Sequence, residues 1–186
     1  MRWVFALALG SILHPELAVR DIDGVNRTPF QVQSGRVAAL FFITHDCPVS
    51  NYYAHEIRRI CEEYGNRGVS CTLVYIDPTL SADQVRKHSQ EYGHGDYPKI
   101  VDREHALVKA TGAEITPTAV IVRPDASIAY RGRIDNFYAD FGKQRRTVTE
   151  HDLRDALAAV LAGKPVARPE TKPVGCYIPE LKFYTK

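Results

Sequence analysis

The stretch RVAALFFITHDCPVSN, residues 36–51, decides the fold of this chain. Its first part, 36–43, is almost continuously apolar, which is typical of a strand covered on both faces of a sheet. After Pro48, apolar side chains recur with helical spacing and the charged side chains between them face outward, so the pattern predicts a helix. The apolar positions of that helix are Tyr53, Ile57, Ile60, Cys61 and Tyr64. Cys47 therefore stands where a buried strand becomes a helix.

The rest of the chain alternates between strand and helix patterns. Its predicted elements are a strand over 69–76, a helix over 81–92, a hairpin of 118–123 and 128–134, and a last helix that Thr149 caps and Gly163 ends. These segments follow from β-rich runs, helical periodicity and turn residues. Their order predicts an α/β protein with a mixed central β-sheet flanked by helices on both faces.

The domain organisation that we expect has three parts. Residues 1–15 form a signal segment or an N-terminal extension, because Met1 and Arg2 precede a short apolar run. Residues 16–163 form the folded domain, and residues 164–186, which contain four prolines, form an extended tail. A signal segment favours an exported or periplasmic protein, and the cytoplasm is the alternative.

Composition excludes several classes of function. The 186 residues fit one domain, and 24 Lys and Arg against 22 Asp and Glu give a net charge of +2. This balance does not suggest a nucleic-acid partner. The longest apolar stretch, residues 3–13, is shorter than the ~20 residues of a membrane-spanning helix. Four scattered cysteines and seven histidines show no metal-ligand spacing, so we expect no metal and no cofactor.

Cys47 is the strongest candidate for a reactive group. The free amides at the start of a helix stabilise a thiolate, which is the nucleophilic form of cysteine. The charge of Asp46 opposes this, whereas Thr44 can donate a hydrogen bond to the sulfur or to a bound peroxide oxygen. The alternative is that Cys47 is a small buried apolar residue.

Two further cysteines and one proline complete this first set of candidates. Cys61 continues the apolar stripe of a helix and Cys71 alternates with apolar residues in a strand, so packing is expected to account for both. Pro117 precedes a strand-like run, which marks a strand start and is compatible with a cis peptide bond.

The motifs together resemble a known family. A strand, Thr-x-x-Cys-Pro-x-Ser at 44–50, a helix, and Gly-Ala-x-x-Thr-Pro at 112–117 before a hairpin resemble the thioredoxin superfamily, in its alkyl hydroperoxide reductase/thiol-specific antioxidant, or redoxin, branch. The resemblance covers residues 16–163. Bacterial redoxin-domain proteins also carry motifs similar to those at 46–51, 130–135 and 175–178.

This resemblance implies a thioredoxin-like fold in which Cys47 is the attacking sulfur and Pro117 the cis-proline that faces it. Thr44 matches the threonine three residues before a peroxidatic cysteine. Leu40 stands where the peroxiredoxin pattern has a proline, and Ser50 stands where the thioredoxin pattern has a second cysteine. The substrate therefore stays open between a peroxide and a disulfide.

Two residues outside the first motif are candidate partners of Cys47. Cys176 lies in the tail and can close a disulfide with oxidised Cys47, or else it only docks the tail. Arg131 and Arg133 point to the same side of a strand. Arg133 is the candidate to support the thiolate, as an arginine does in peroxiredoxins, and a solvated surface arginine is the alternative.

The leading hypothesis is a thiol-based oxidoreductase of the antioxidant kind. The Cys47 thiolate would attack a peroxide or a disulfide, and Cys176 or an external thiol, either a thioredoxin-like protein or a small thiol, would regenerate it. The alternative is a non-catalytic carrier on the same fold that holds a protein or copper.

Overall fold

The computed structural model describes residues 13–184. The strands are β1 (Val19–Arg20), β2 (Asn26–Arg27), β3 (Val37–Ile43), β4 (Val69–Tyr75), β5 (Lys99–Val101), β6 (Ile115–Thr116), β7 (Thr118–Val122), β8 (Ile128–Gly132), β9 (Tyr138–Asp140), β10 (Lys143–Gln144) and β11 (Cys176–Tyr177). The α-helices are α1 (Pro48–Tyr52), α2 (Ala54–Gly65), α3 (Ala82–Glu91), α4 (Ala106–Thr111) and α5 (Asp152–Leu161), and a 3₁₀ turn covers Leu181–Phe183.

The centre of the molecule is a five-stranded mixed sheet with the order β5-β4-β3-β7-β8. Strand β3 runs parallel to β4 and antiparallel to β7, and Phe41 lies opposite Leu73 on one side and Ala119 on the other. The β7–β8 hairpin is antiparallel, as predicted. The mixed α/β sheet of the sequence-based prediction is confirmed.

Strand β3 divides the core into two layers. Val37, Ala39, Phe41 and Ile43 pack with residues of α2 and α5, whereas Ala38, Leu40 and Phe42 pack with residues of α4 on the opposite face. Successive side chains of a strand point to opposite faces, so a strand with helices on both sides must be apolar at every position. All seven residues of β3 are buried.

Local predictions of the helices were right in outline and differ from the structure in two details. The predicted helix after Pro48 is divided into α1 and α2 around Tyr53. Thr149 does not cap the last helix: α5 begins at Asp152, and the Thr149 hydroxyl accepts a hydrogen bond from the side-chain amide of Asn136. The Thr149 amide also donates to Oδ1 of Asn136. These two hydrogen bonds hold Thr149 in the loop before α5.

Part of the predicted N-terminal segment, residues 1–15, lies outside the described residues, so its role as a signal stays a prediction. Within residues 13–184 the helices are too short and too polar to cross a membrane.

The segment that follows α5 is joined to the domain by main-chain hydrogen bonds. The Arg131 amide donates to the carbonyl of Pro169, and the Thr171 amide donates to the carbonyl of Arg131. Further along, β11 pairs antiparallel with β6, and the Ile178 amide donates to the carbonyl of Glu114. An edge strand carries unpaired main-chain N–H and C=O groups. The segment after α5 pairs with such groups along two strands, β8 and β6.

The expectation for Cys61 and Cys71 was incomplete. Both side chains belong to the core, but they are joined in a disulfide between α2 and β4, with a Cα–Cα distance of 6.0 Å. The sequence pattern reports burial of each residue, whereas the bond depends on how closely the helix packs on its neighbouring strand. Cys47 and Cys176 are the free cysteines.

Reducing the Cys61–Cys71 disulfide should lower the free energy of unfolding by about 2–3 kcal/mol, the entropy expected for a closed loop of this size. Urea unfolding with and without a reducing agent measures the change. A Cys61→Ala/Cys71→Ala variant is the control, since any effect of reductant on its midpoint comes from Cys47 and Cys176 and is subtracted. An equal midpoint for the oxidised and reduced wild-type protein would show that the disulfide does not contribute to stability.

Candidate active site

Cys47 lies in the turn between β3 and α1, and its side chain has no solvent exposure. Pro48 opens the helix, a position where the missing N–H costs nothing. The Asn51 amide donates to the Cys47 carbonyl at 3.0 Å. The sulfur is therefore held at the end of the central strand, under the first turn of α1.

Cys176 reaches this point because of strand pairing. In the β11–β6 pair it lies opposite Thr116, the residue before Pro117. The Thr116 hydroxyl donates to the Cys176 carbonyl at 3.3 Å. This register brings the Cys176 thiol within hydrogen-bonding reach of the Cys47 sulfur. The site thus contains two thiols that are 129 residues apart in sequence, from 47 to 176.

The environment of the Cys47 sulfur favours its thiolate. Burial raises the pKa of the Cys47 thiol, but hydrogen bonds from the Cys176 thiol, from the amide and hydroxyl of Ser50 and from the Val49 amide outweigh burial. The pKa of Cys47 therefore lies below its ordinary value. The Cys47 thiol can also donate to the carbonyl of Thr116 at 3.5 Å, and this single acceptor favours the protonated form.

Cys176 has the opposite character. Burial, the hydrogen bond to Cys47 and the negative charges of Cys47 and Asp46 raise the pKa of Cys176 to about 12. Cys176 therefore keeps its proton when Cys47 has lost its own. Cys47 is thus the sulfur that favours the thiolate, and Cys176 is the hydrogen-bond donor.

Ser50 is a site residue that sequence reasoning missed, since the pattern suggested only that a second cysteine is lacking there. Its side chain is buried, and its hydroxyl makes no hydrogen bond of standard geometry among residues 13–184. The hydroxyl faces the Cys47 sulfur and lowers the pKa of the Cys47 thiol. A buried serine one helical turn after a cysteine is the signal that would have identified it.

Thr44 and Arg133 are engaged elsewhere. The Thr44 hydroxyl donates to Oδ1 of Asp46 at 2.8 Å, so its proton is not directed at the sulfur. Arg133 donates through Nε to Asp152 at 2.6 Å and is also bound to Glu150. The buried carboxylate of Asp152 needs a cation, which explains why Arg133 is drawn to it rather than to Cys47. Thr44 and Arg133 therefore do not provide the contacts expected of them.

Pro117 follows a cis peptide bond after Thr116, in agreement with the sequence pattern. Through Thr116 it lies next to both cysteines: the Thr116 carbonyl faces the Cys47 sulfur, and its backbone pairs with Cys176. Thr116 is completely buried. The β6–Pro117 segment is therefore the part of the chain that joins the two thiols.

Comparison with known proteins places the chain among redoxins. The family model described as AhpC/TSA family matches residues 14–131. An uncharacterized conserved protein from Geobacillus kaustophilus is 27% identical with a TM-score of 0.77, over 92% of this chain and 91% of that one. A hypothetical protein from Sinorhizobium meliloti 1021 is 25% identical with a TM-score of 0.76, over 93% and 94%. No curated protein matches the sequence.

A more distant structure extends the likeness of fold. A secreted Mycobacterium tuberculosis disulfide oxidoreductase is 15% identical, with a TM-score of 0.53 over 79% of this chain and 95% of that one. At this level of identity the comparison concerns the fold alone. The thioredoxin-like fold of the sequence-based prediction is confirmed.

Replacing Cys176 with alanine should raise the pKa of Cys47, because the strongest hydrogen bond to its sulfur is lost. The thiolate exists above the pKa, so at pH 7 the variant should contain less thiolate than the wild-type protein. The ultraviolet absorbance of the thiolate against pH, corrected with a Cys47→Ser variant, measures the midpoint. A midpoint that does not move would contradict the hydrogen bond.

Gly175→Ala should separate the two thiols. A Cβ at Gly175 overlaps the Thr116 carbonyl oxygen and lies 3.3 Å from Pro117 Cδ, so β11 must shift. A displacement of about 1 Å between reacting groups can cost a hundredfold in rate, and disulfide formation should slow by about tenfold to a hundredfold. Gly65→Ala is the control, because a Cβ there meets no atom within 4 Å among the described residues. Equal oxidation rates in both variants would refute the role of this register.

Proposed function

Since the chain belongs to the AhpC/TSA family, we propose that it is a two-cysteine thiol oxidoreductase that reduces small hydroperoxides. The observation that carries the proposal is the hydrogen-bonded pair of Cys47 and Cys176, one sulfur acidic and the other protonated. Redox thiols need a stabilised thiolate and a second thiol within bonding distance. This pair supplies both.

In the first step the Cys47 thiolate attacks the terminal oxygen of a hydroperoxide. A sulfur–oxygen bond forms, the oxygen–oxygen bond breaks, and the leaving alkoxide takes the proton of Cys176 to become an alcohol. Cys47 becomes a sulfenic acid. The Ser50 hydroxyl and the amides of Val49 and Ser50 surround the reacting sulfur and are the donors available to the peroxide.

In the second step the Cys176 thiolate attacks the sulfenic sulfur of Cys47. The disulfide forms, and the departing hydroxide takes a proton from solvent to become water. The two thiols are hydrogen-bonding neighbours in the folded protein, so this step needs no unfolding of the C-terminal segment. The two steps together oxidise two thiols and reduce one hydroperoxide to an alcohol and water.

Regeneration requires an external thiol, which attacks the disulfide at one sulfur and releases the other. Cys176 is partly exposed and Cys47 is fully buried, so attack occurs at Cys176. A thiol of low pKa is the better leaving group, and Cys47 is that thiol. A second reductant thiol then cleaves the mixed disulfide on Cys176 and leaves both thiols reduced.

A small electrophile is favoured over a protein disulfide. The Cys47 sulfur is covered, and β11 occupies the edge of β6 next to it. A polypeptide would have to displace this strand, whereas a hydroperoxide needs only a small opening. We also propose an exported protein, with the cytoplasm as the alternative, because stable disulfides such as Cys61–Cys71 are typical of oxidising compartments.

A carrier for a soft cation is the second candidate. Thiolate ligands select ions such as Cu(I), and the adjacent sulfurs of Cys47 and Cys176 provide two of them. A carrier needs tight binding of the ion and no turnover with peroxide, which separates it from the enzyme.

Reduced protein treated with one equivalent of hydrogen peroxide should lose two hydrogens in intact mass, and peptide mapping should find the Cys47–Cys176 cross-link. The contact of the two thiols is the reason for expecting rapid closure. The Cys47→Ser variant should remain unchanged, and Cys176→Ser should gain one oxygen at Cys47. Repeated turnover with a thiol reductant completes the assay.

Slow reaction of Cys47 with peroxide, combined with fast exchange with a small disulfide, would overturn the peroxidase assignment and leave disulfide exchange. Slow reaction with both, together with tight retention of Cu(I) that either cysteine variant abolishes, would favour the carrier.

A further inference from the structure

A chain of hydrogen bonds, buried at its inner end, extends from the core to the turn that carries Cys47. The Asn51 side-chain amide donates to the His45 carbonyl at 2.9 Å, and its Oδ1 lies 2.9 Å from Nε2 of His88. Nδ1 of His88 lies 3.0 Å from the Tyr75 hydroxyl. These bonds connect β4, α3 and α1 to the His45 carbonyl, which lies two residues before Cys47.

The hydrogen-bond partners determine which groups in this chain of bonds donate and which accept. The His45 carbonyl only accepts, so the Asn51 nitrogen faces it and the Asn51 oxygen faces His88. That oxygen also only accepts, so Nε2 of His88 carries the hydrogen. A neutral imidazole then accepts at Nδ1 from the Tyr75 hydroxyl. The chain is complete with a neutral His88, and burial lowers the pKa of His88, which keeps the ring neutral.

Helix α1 depends on such support. It has five residues and no side-chain cap at its N-terminus. A helix this short is not stable by itself. Asn51 lies in the same turn as Val49 and Ser50, whose amides act on the Cys47 sulfur. Fixing Asn51 therefore fixes the donors that face the sulfur.

We propose that His88 is a positioning residue for Cys47: through Asn51 it holds the first turn of α1 and the preceding loop so that their donors face the sulfur. This inference rests on the proposed function, in which Cys47 reacts as a thiolate. His88 does not touch the reacting atoms. Its 6% exposure and its location on α3, 41 residues away in sequence from 47 to 88, explain why the motif around Cys47 does not reveal it.

The test compares His88→Leu with His88→Gln. Leucine removes the donor to Asn51, so the pKa midpoint of Cys47 should rise and its reaction with peroxide at pH 7 should slow about threefold to tenfold, the range expected when one hydrogen bond is lost. Glutamine can present an amide N–H near the position of Nε2 and should restore most of the rate and of the midpoint. Thiolate absorbance against pH and stopped-flow oxidation give the two readouts.

Asn51→Ala keeps the test decisive if His88→Leu folds poorly. Alanine favours a helix and removes the same hydrogen bond from the other side, together with the bond to the His45 carbonyl, so it should shift the Cys47 midpoint at least as far. Because His88 acts on Cys47 through Asn51, the double variant should be no slower than Asn51→Ala alone.

His105→Asn is the matched control. His105 is also buried and bonded to a main-chain carbonyl, that of Ile76 at 2.7 Å, and asparagine tolerates its left-handed backbone. It should lose stability without changing the Cys47 midpoint. A wild-type Cys47 with the ordinary midpoint of about 8.5 would refute the proposed function itself. An acidic wild-type Cys47 that His88→Leu and Asn51→Ala leave unchanged would refute the positioning role alone.

Discussion

The hydrogen bond between the Cys176 thiol and the Cys47 sulfur is the interaction on which the proposed chemistry of this protein depends. A buried sulfur by itself prefers to stay protonated, and burial is the largest influence on Cys47. Donors reverse this preference, and the Cys176 thiol is the strongest of them. Because that thiol lies 129 residues further along the chain, from 47 to 176, the folded C-terminal segment is part of the proposed active site.

The fold provides this contact through two junctions. Strand β3 ends at the turn that carries Cys47, and β6 ends at Pro117, where β11 pairs with it. Gly175 is required at the second junction because a side chain there would overlap the Thr116 carbonyl. The pair of sulfurs is consequently set by main-chain pairing, which is more rigid than a tail that must swing into place.

Residue patterns predicted those parts of the molecule that depend on neighbours in sequence. The apolar run of β3, the strand-to-helix turn at Cys47 and the proline at 117 all carry local signals. Partners that are distant in sequence were not predictable in the same way. The Cys61–Cys71 disulfide depends on how a helix packs on a strand. The ion pair of Arg133 depends on a buried carboxylate, that of Asp152, which lies 19 residues further along the chain. The Asn51–His88 bond likewise requires α3 to lie beside α1.

Equilibration with glutathione redox buffers tests most directly whether Cys47 and Cys176 act as one preassembled pair. Two thiols held in contact have a high effective concentration toward each other, so the intramolecular disulfide should be the dominant oxidised species and glutathione adducts should be scarce. Mass spectrometry of acid-quenched samples counts these species. Accumulation of a single glutathione adduct at Cys47 or Cys176, in place of the internal disulfide, would contradict the account.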